Sequence, residues 1–140
     1  MIVIAISALL LATALPNFAP AIARANLQSS ARDVVSALRY CRGYAMIKGR
    51  DGLFELNTQE HIYRVSGKAK KFTIPEDIEI GLFTTTTETL NESAGRIRFF
   101  ADGSSTGGRV TLVGINQTLV IDINWLTGDI KLGDRDEVDR

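Results

Sequence analysis

Residues 1–23, MIVIAISALLLATALPNFAPAIA, contain no charged side chain, and the first one in the chain is Arg24. As a straight helix at about 1.5 Å per residue this run measures roughly 34 Å, close to the hydrocarbon thickness of a bilayer. A helix of a soluble domain keeps a polar face, and this stretch has none. Ser7 and Thr13 fit within it, because their hydroxyls can bond to the helix's own carbonyls. Pro16 is expected to kink the helix or end it, since a proline in a helix interior loses a hydrogen bond and crowds the preceding turn. Three readings fit the run: a cleaved signal peptide, a membrane anchor, or a buried core helix. The first wants a basic start, whereas Met1 is followed by Ile-Val-Ile.

From residue 21 to 48 the helical rhythm continues and the surface changes. Leu27, Ala31, Val34, Leu38, Cys41 and Ala45 follow each other at spacings of 4, 3, 4, 3 and 4, one narrow apolar stripe. Arg24, Gln28, Arg32, Asp33, Arg39, Arg42 and Lys48 occupy the other faces, and Gly49 supplies a helix stop. The economical picture is one long helix that anchors at its greasy end and packs its amphipathic end onto a domain.

After Gly49 the period shortens. Runs rich in β-branched and aromatic residues predict strands at 53–57, 62–65, 71–74, 78–83, 96–100, 109–114, 118–124 and 129–132. Their connections are short and carry turn residues, which means antiparallel hairpins. The polar stretch 84–95, TTTTETLNESAG, reads as a surface loop, and the charged end from 134 as a frayed tail. The predicted class is α+β, a long N-terminal helix packed on a small antiparallel β-sheet or sandwich body. Its divisions are 1–23 for a membrane or filament-core helix, 24–48 for the amphipathic helix, 49–133 for the β-body and 134–140 for the tail.

Charge sharpens this division. The chain is formally neutral, but residues 1–50 hold six basic and one acidic residue, and residues 51–140 ten basic and fifteen acidic. An acidic body weighs against nucleic acid as a partner. The arginines after the apolar run face either anionic headgroups or water. Cys41 is the only cysteine, which excludes an internal disulfide, and its place on the stripe makes it a small buried hydrophobe.

Catalytic chemistry is not encoded in any recognisable pattern. His61 is the only histidine and is expected to be exposed. The segment 103–108, GSSTGG, lacks the Lys-Ser/Thr and following helix of a phosphate loop and reads as a flexible hairpin connection. Asp129, Asp134, Asp136 and Glu137 have no calcium-loop spacing. The expectation is a protein with no active site, metal or cofactor.

Three stretches carry a family resemblance: 31–50, ARDVVSALRYCRGYAMIKGR; 96–109, RIRFFADGSSTGGR; and 121–130, IDINWLTGDI. With the apolar run and its Leu-Pro-Asn-Phe at 15–18, they resemble the GspH/FimT-type minor pseudopilins of type II secretion, within the type IV pilin-like proteins. The resemblance marks Phe99, Phe100, Asp102, Gly103, Gly107, Gly108, Trp125 and Gly128 as family-like hairpin positions. It marks Ile2, Ile4, Ile6, Leu9, Leu10, Leu11, Leu15 and Pro16 as the membrane and filament helix.

The resemblance implies a structural subunit at or near the tip of a short periplasmic filament, held until assembly as a single-pass protein of the bacterial inner membrane. Implied partners are other major and minor pseudopilins, the inner-membrane assembly platform and membrane lipid. The family also opens with a basic leader, a Gly cleavage point and Phe-Thr-Leu-x-Glu, and Met1 falls where the sequence after that glutamate would run. A native start upstream of Met1 would add prepilin peptidase to the partners; a start at Met1 would imply an unprocessed anchor. The alternative is a FimT-like minor type IV pilin involved in DNA uptake.

Overall fold

In the computed structural model, which describes residues 1–14 and 18–138, the apolar run forms helix α1, Ile2–Ala14, and a second helix, α2, occupies Ala19–Lys48. The single helix expected from 1 to 48 is therefore two elements, and the expected division at 23 falls inside α2. Leu15 and Pro16 lie outside the described residues. Pro20 sits in the first turn of α2, where a missing N–H costs no intrahelical bond. Gly49 ends α2 in the left-handed region, φ 63°. The 13 residues of α1 span about 20 Å. Among the described residues no helix is long and apolar enough to cross a membrane.

The body holds β1 (Gly52–Asn57), β2 (Ile62–Val65), β3 (Phe72–Thr73), β4 (Glu79–Phe83), β5 (Thr89–Asn91), β6 (Ala94–Phe99), β7 (Gly108–Val113), β8 (Thr118–Ile123) and β9 (Ile130–Asp134). They form two antiparallel sheets, ordered β3-β2-β1-β6-β5 and β4-β7-β8-β9. Helix α2 packs on strands of both, which is the α+β arrangement the sequence pattern implies. Burial alternates along β1 and β6, as expected for strands with one covered face. Phe54, Leu56, Ile97, Phe99, Leu112 and Ile121 fill the space beneath α2 with Leu27, Val34 and Leu38.

Three sequence expectations need correction. Residues 84–95 are not a plain loop: they contain a 3₁₀ turn at Thr86–Glu88, strand β5 and the start of β6. Backbone pairing to β6 is what orders this polar run. The end from 134 is not simply frayed, because Asp134 closes β9 and Arg135–Val138 forms a short helix, α3. Gln117 Nε2 donates to Asp134 Oδ2 at 3.2 Å, tying that end to the β7–β8 turn. The 103–108 connection is pinned rather than flexible. Ser105 Oγ donates to the Asn124 carbonyl at 3.0 Å and accepts from Gly107 N–H at 2.9 Å.

Gly52 shows why α2 and β1 come so close. A Cβ at this position would collide with the Cys41 carbonyl, so only a glycine lets β1 start directly beneath the helix.

Candidate interaction site

From residue 2 to 11 the described side chains of α1 are all exposed. Ile2, Ile4, Ile6, Leu9, Leu10 and Leu11 are all exposed, Ile2 to 76%. On α2 the arrangement is reversed: Leu27, Ala31, Val34, Leu38, Cys41 and Ala45 are buried, together with Ser30 and Val35. Cys41 Sγ–H donates to the Leu53 carbonyl at 3.3 Å, and burial pushes its thiol up to about 12. Such a group is a poor nucleophile.

Arg42, expected on a solvated face, is instead a clamp. Its Nε donates to the Gly103 carbonyl and its Nη2 to the Thr127 carbonyl, each at 3.1 Å. Two of the family-like stretches, 96–109 and 121–130, thereby meet on one helix side chain. Between them, Ser105 N–H donates to the Trp125 carbonyl at 2.9 Å. Gly128 has φ 71°, and a Cβ there would collide with the Gly103 carbonyl. A Cβ on Gly107 would press on Trp125, and one on Gly108 would lie 2.8 Å from the Phe83 carbonyl oxygen. Asp102 accepts from Ser104 N–H at 2.9 Å and Oγ–H at 2.6 Å, and these bonds hold its carboxyl below the ordinary range. Phe99 is fully buried and Phe100 half-buried, while Trp125 is 66% exposed.

Sequence reading missed the role of Glu88. Its side chain is buried and accepts from Arg96 Nε at 3.1 Å and Arg98 Nε at 2.9 Å; Arg98 Nη1 also reaches Asp51 at 2.8 Å. The hydrogen bonds to Glu88 and Asp51 raise the Arg98 pKa further. The Arg-x-Arg of β6 was the only available signal, since two cations on one strand face call for a counter-charge. His61, expected to be exposed, is half-buried with φ 55°, at a turn that turns its backbone into the left-handed region.

Beside α2, a groove of about 440 Å³ gathers Lys68, Lys70 and Lys71 around Tyr40 and Phe72. Lys68 Nζ stands 4.4 Å from the Tyr40 ring centre. Burial, and then the Asp33 charge, push the nearby Tyr63 hydroxyl up to about 12. Among the described residues no group of three or more His, Cys, Asp or Glu is placed to hold a metal. What these surfaces offer chemically is contact: an exposed apolar helix, a rigid pair of clamped hairpins and a basic aromatic groove.

Residues 30–128 match the family model described as type II transport protein GspH, more than two thirds of the chain. The chain belongs to the GspH family. The type II secretion system protein H of Xanthomonas campestris pv. campestris is 29% identical over 107 residues, covering 76% of this chain. The match takes in 63% of that relative, so the chain spans less than two thirds of its length. In three dimensions this GspH-family chain is similar to the minor pseudopilin EpsH from the type 2 secretion system of Vibrio cholerae. That likeness has a TM-score of 0.61 at 12% identity and covers 78% of this chain and 97% of EpsH. It is also similar to the type IV minor pilin FimU of Pseudomonas aeruginosa, with a TM-score of 0.60 at 16% identity over 79% of this chain and 90% of FimU. At these identities the structural likenesses establish the fold, a helix laid on antiparallel sheets.

Proposed function

We propose that this GspH-family chain is a minor pseudopilin, a non-catalytic structural subunit at or near the tip of a type II secretion pseudopilus. In this reading its β-body lies in the periplasm and α1 associates with the inner membrane until assembly. The observation that carries it is the uncovered apolar surface of α1, a surface that calls for lipid or other helices. Ala5, Ser7 and Ala8 permit close backbone approach, so α1 can exchange lipid for the helices of neighbouring major and minor pseudopilins at little cost. The assembly platform supplies the step from membrane to filament. Prepilin peptidase joins the partners where the native protein starts upstream of Met1, which the intact mass of protein purified from its own membranes reads directly.

Complementation tests the function. In a strain lacking the chain, secretion of type II substrates should fall and be restored by the wild-type protein. A chain carrying Leu9→Asp and Leu11→Asp should not restore it. Unimpaired secretion without the chain contradicts the proposal.

One observation favours the FimT-like alternative: Lys68, Lys70 and Lys71 form a local basic groove with Tyr40 that the acidic net charge of the body conceals. Aromatic rings beside lysines are what single-stranded nucleic acid uses. A gel-shift at low salt decides between them. Binding that is lost on replacing the three lysines by glutamine would favour DNA uptake, and no shift would favour the pseudopilin.

A further inference from the structure

The turn joining β7 to β8, residues 114–117, carries an isoleucine at its tip. Gly114 N–H donates to the Gln117 carbonyl at 2.8 Å and closes the turn, and Ile115 projects from it 76% exposed. Turn geometry favours Gly, Asn, Asp or Ser here and gives no reason for a β-branched apolar side chain. The fold leaves Ile115 unexplained.

Its location suggests a use. The turn stands against the start of α2 across a groove of about 490 Å³ lined by Pro20, Arg24, Leu27 and Gln28 on the helix and by Ile115 and Gln117 on the turn. Leu27 fixes this approach, since a Cβ on Gly114 would sit 2.9 Å from Leu27 Cδ2. This is the end of α2 that follows the apolar α1, and Phe18 and Ile22 are exposed there too. Arg24 is the first cation after the uncharged run. The opposite end of the body is marked by the 124–129 turn, which Arg42 holds roughly 27 Å further along the helix axis.

We propose that Ile115 and the first turns of α2 form a second, interfacial contact with anionic phospholipid. Ile115 enters the boundary between headgroups and acyl chains, and Arg24 pairs with lipid phosphate. Two features commit the surface to lipid: it lies at the end of α2 that follows α1 in the chain, where Phe18 and Ile22 are also exposed, and its cation complements an anionic headgroup. The proposal rests on the reading that α1 associates with the membrane. Its consequence is orientation. A body held by α1 alone can pivot, whereas a second contact about one helix start away fixes which face meets incoming subunits.

The test uses the full chain in vesicles of phosphatidylethanolamine and phosphatidylglycerol. A fluorophore is attached at Ile115→Cys or at Ala8→Cys, and Trp125, the only tryptophan, reports the far end. Cys41 is buried and takes no label. Nitroxide lipids labelled near the headgroup should quench position 115, those labelled in the acyl chain should quench position 8, and neither should quench Trp125. Quenching at 8 without quenching at 115 overturns the interfacial contact and leaves the membrane reading standing. No quenching at 8 overturns both. Shielding of position 115 from aqueous iodide that grows with protein density, without lipid quenching, would give the groove to a second copy and overturn the proposal. Arg24→Glu should reduce the headgroup quenching at 115, and unchanged quenching would remove Arg24 from the contact.

Discussion

Arg42 Nε lies 3.1 Å from the carbonyl oxygen of Gly103, a residue 61 positions away on a different sheet connection. With its second bond to Thr127, this one side chain joins α2 to both ordered turns at the same end of the body. A guanidinium suits the task, because its fork reaches two carbonyls that a lysine's single ammonium cannot satisfy in the same plane. Arg42→Ala should lower the unfolding free energy by about 1–3 kcal/mol, the range for a charged hydrogen-bond donor lost from one part-buried acceptor, Gly103, and one exposed acceptor, Thr127. Arg42→Lys should recover less than half of that. Denaturant unfolding of the full chain in detergent checks both.

Glu88 sets a second stability point. Its carboxylate is the shared acceptor of Arg96 and Arg98, whose side chains are each about one quarter exposed. Glu88→Gln should destabilise by about 1–3 kcal/mol, below the full cost of orphaning deeply buried charges because water screens the two arginines. The loss should appear first as faster amide exchange in β5 and the 3₁₀ turn, which hang on this ion pair.

Gly52→Ala tests the seam between helix and sheet. The added methyl meets the Cys41 backbone carbonyl rather than a movable side chain, so β1 or α2 must shift. A loss of about 1–3 kcal/mol is expected, as for overpacking elsewhere. Gly43→Ala, where a Cβ meets nothing within 4 Å, is the matched control and should be neutral or stabilising.

Stability should also fall at alkaline pH. Burial raises the Cys41 thiol from 9.0 to about 12 and the Tyr63 hydroxyl from 10.0 to about 12. In the window between those values the unfolded chain ionises both groups while the native one keeps them protonated. The native state therefore holds more protons, and its stability, intact below the unfolded values, declines as pH rises from 9.0 towards about 12. A melting temperature that falls over this window, less steeply in Cys41→Ala, is the expected result. Native protein should resist thiol reagents near neutral pH and react once unfolded.

The architecture was legible where one physical demand dominates the residue choice. A helix that covers a sheet buries a single stripe, which leaves the 3–4 spacing from Leu27 to Ala45, and strands with one covered face alternate. The 84–95 segment hid its structure because its order comes from pairing with β6 and from the Glu88 carboxylate, not from apolar residues of its own. Arg42 was illegible for a similar reason. Its partners are backbone carbonyls, which any sequence provides, at positions that only the fold brings near. Composition reads as one continuous helix from 1 to 48 and does not mark Ala19 as the start of α2, with Pro20 in its first turn.

The most direct test of the account is a photo-cross-linker at Leu9, on the exposed surface of α1, in secreting cells. Mass spectrometry of the adducts should show Leu9 joined to the N-terminal helices of other pseudopilins, and the adducts should vanish when assembly is blocked. Adducts confined to lipid in cells that are secreting normally would contradict the claim that α1 is a filament-forming surface.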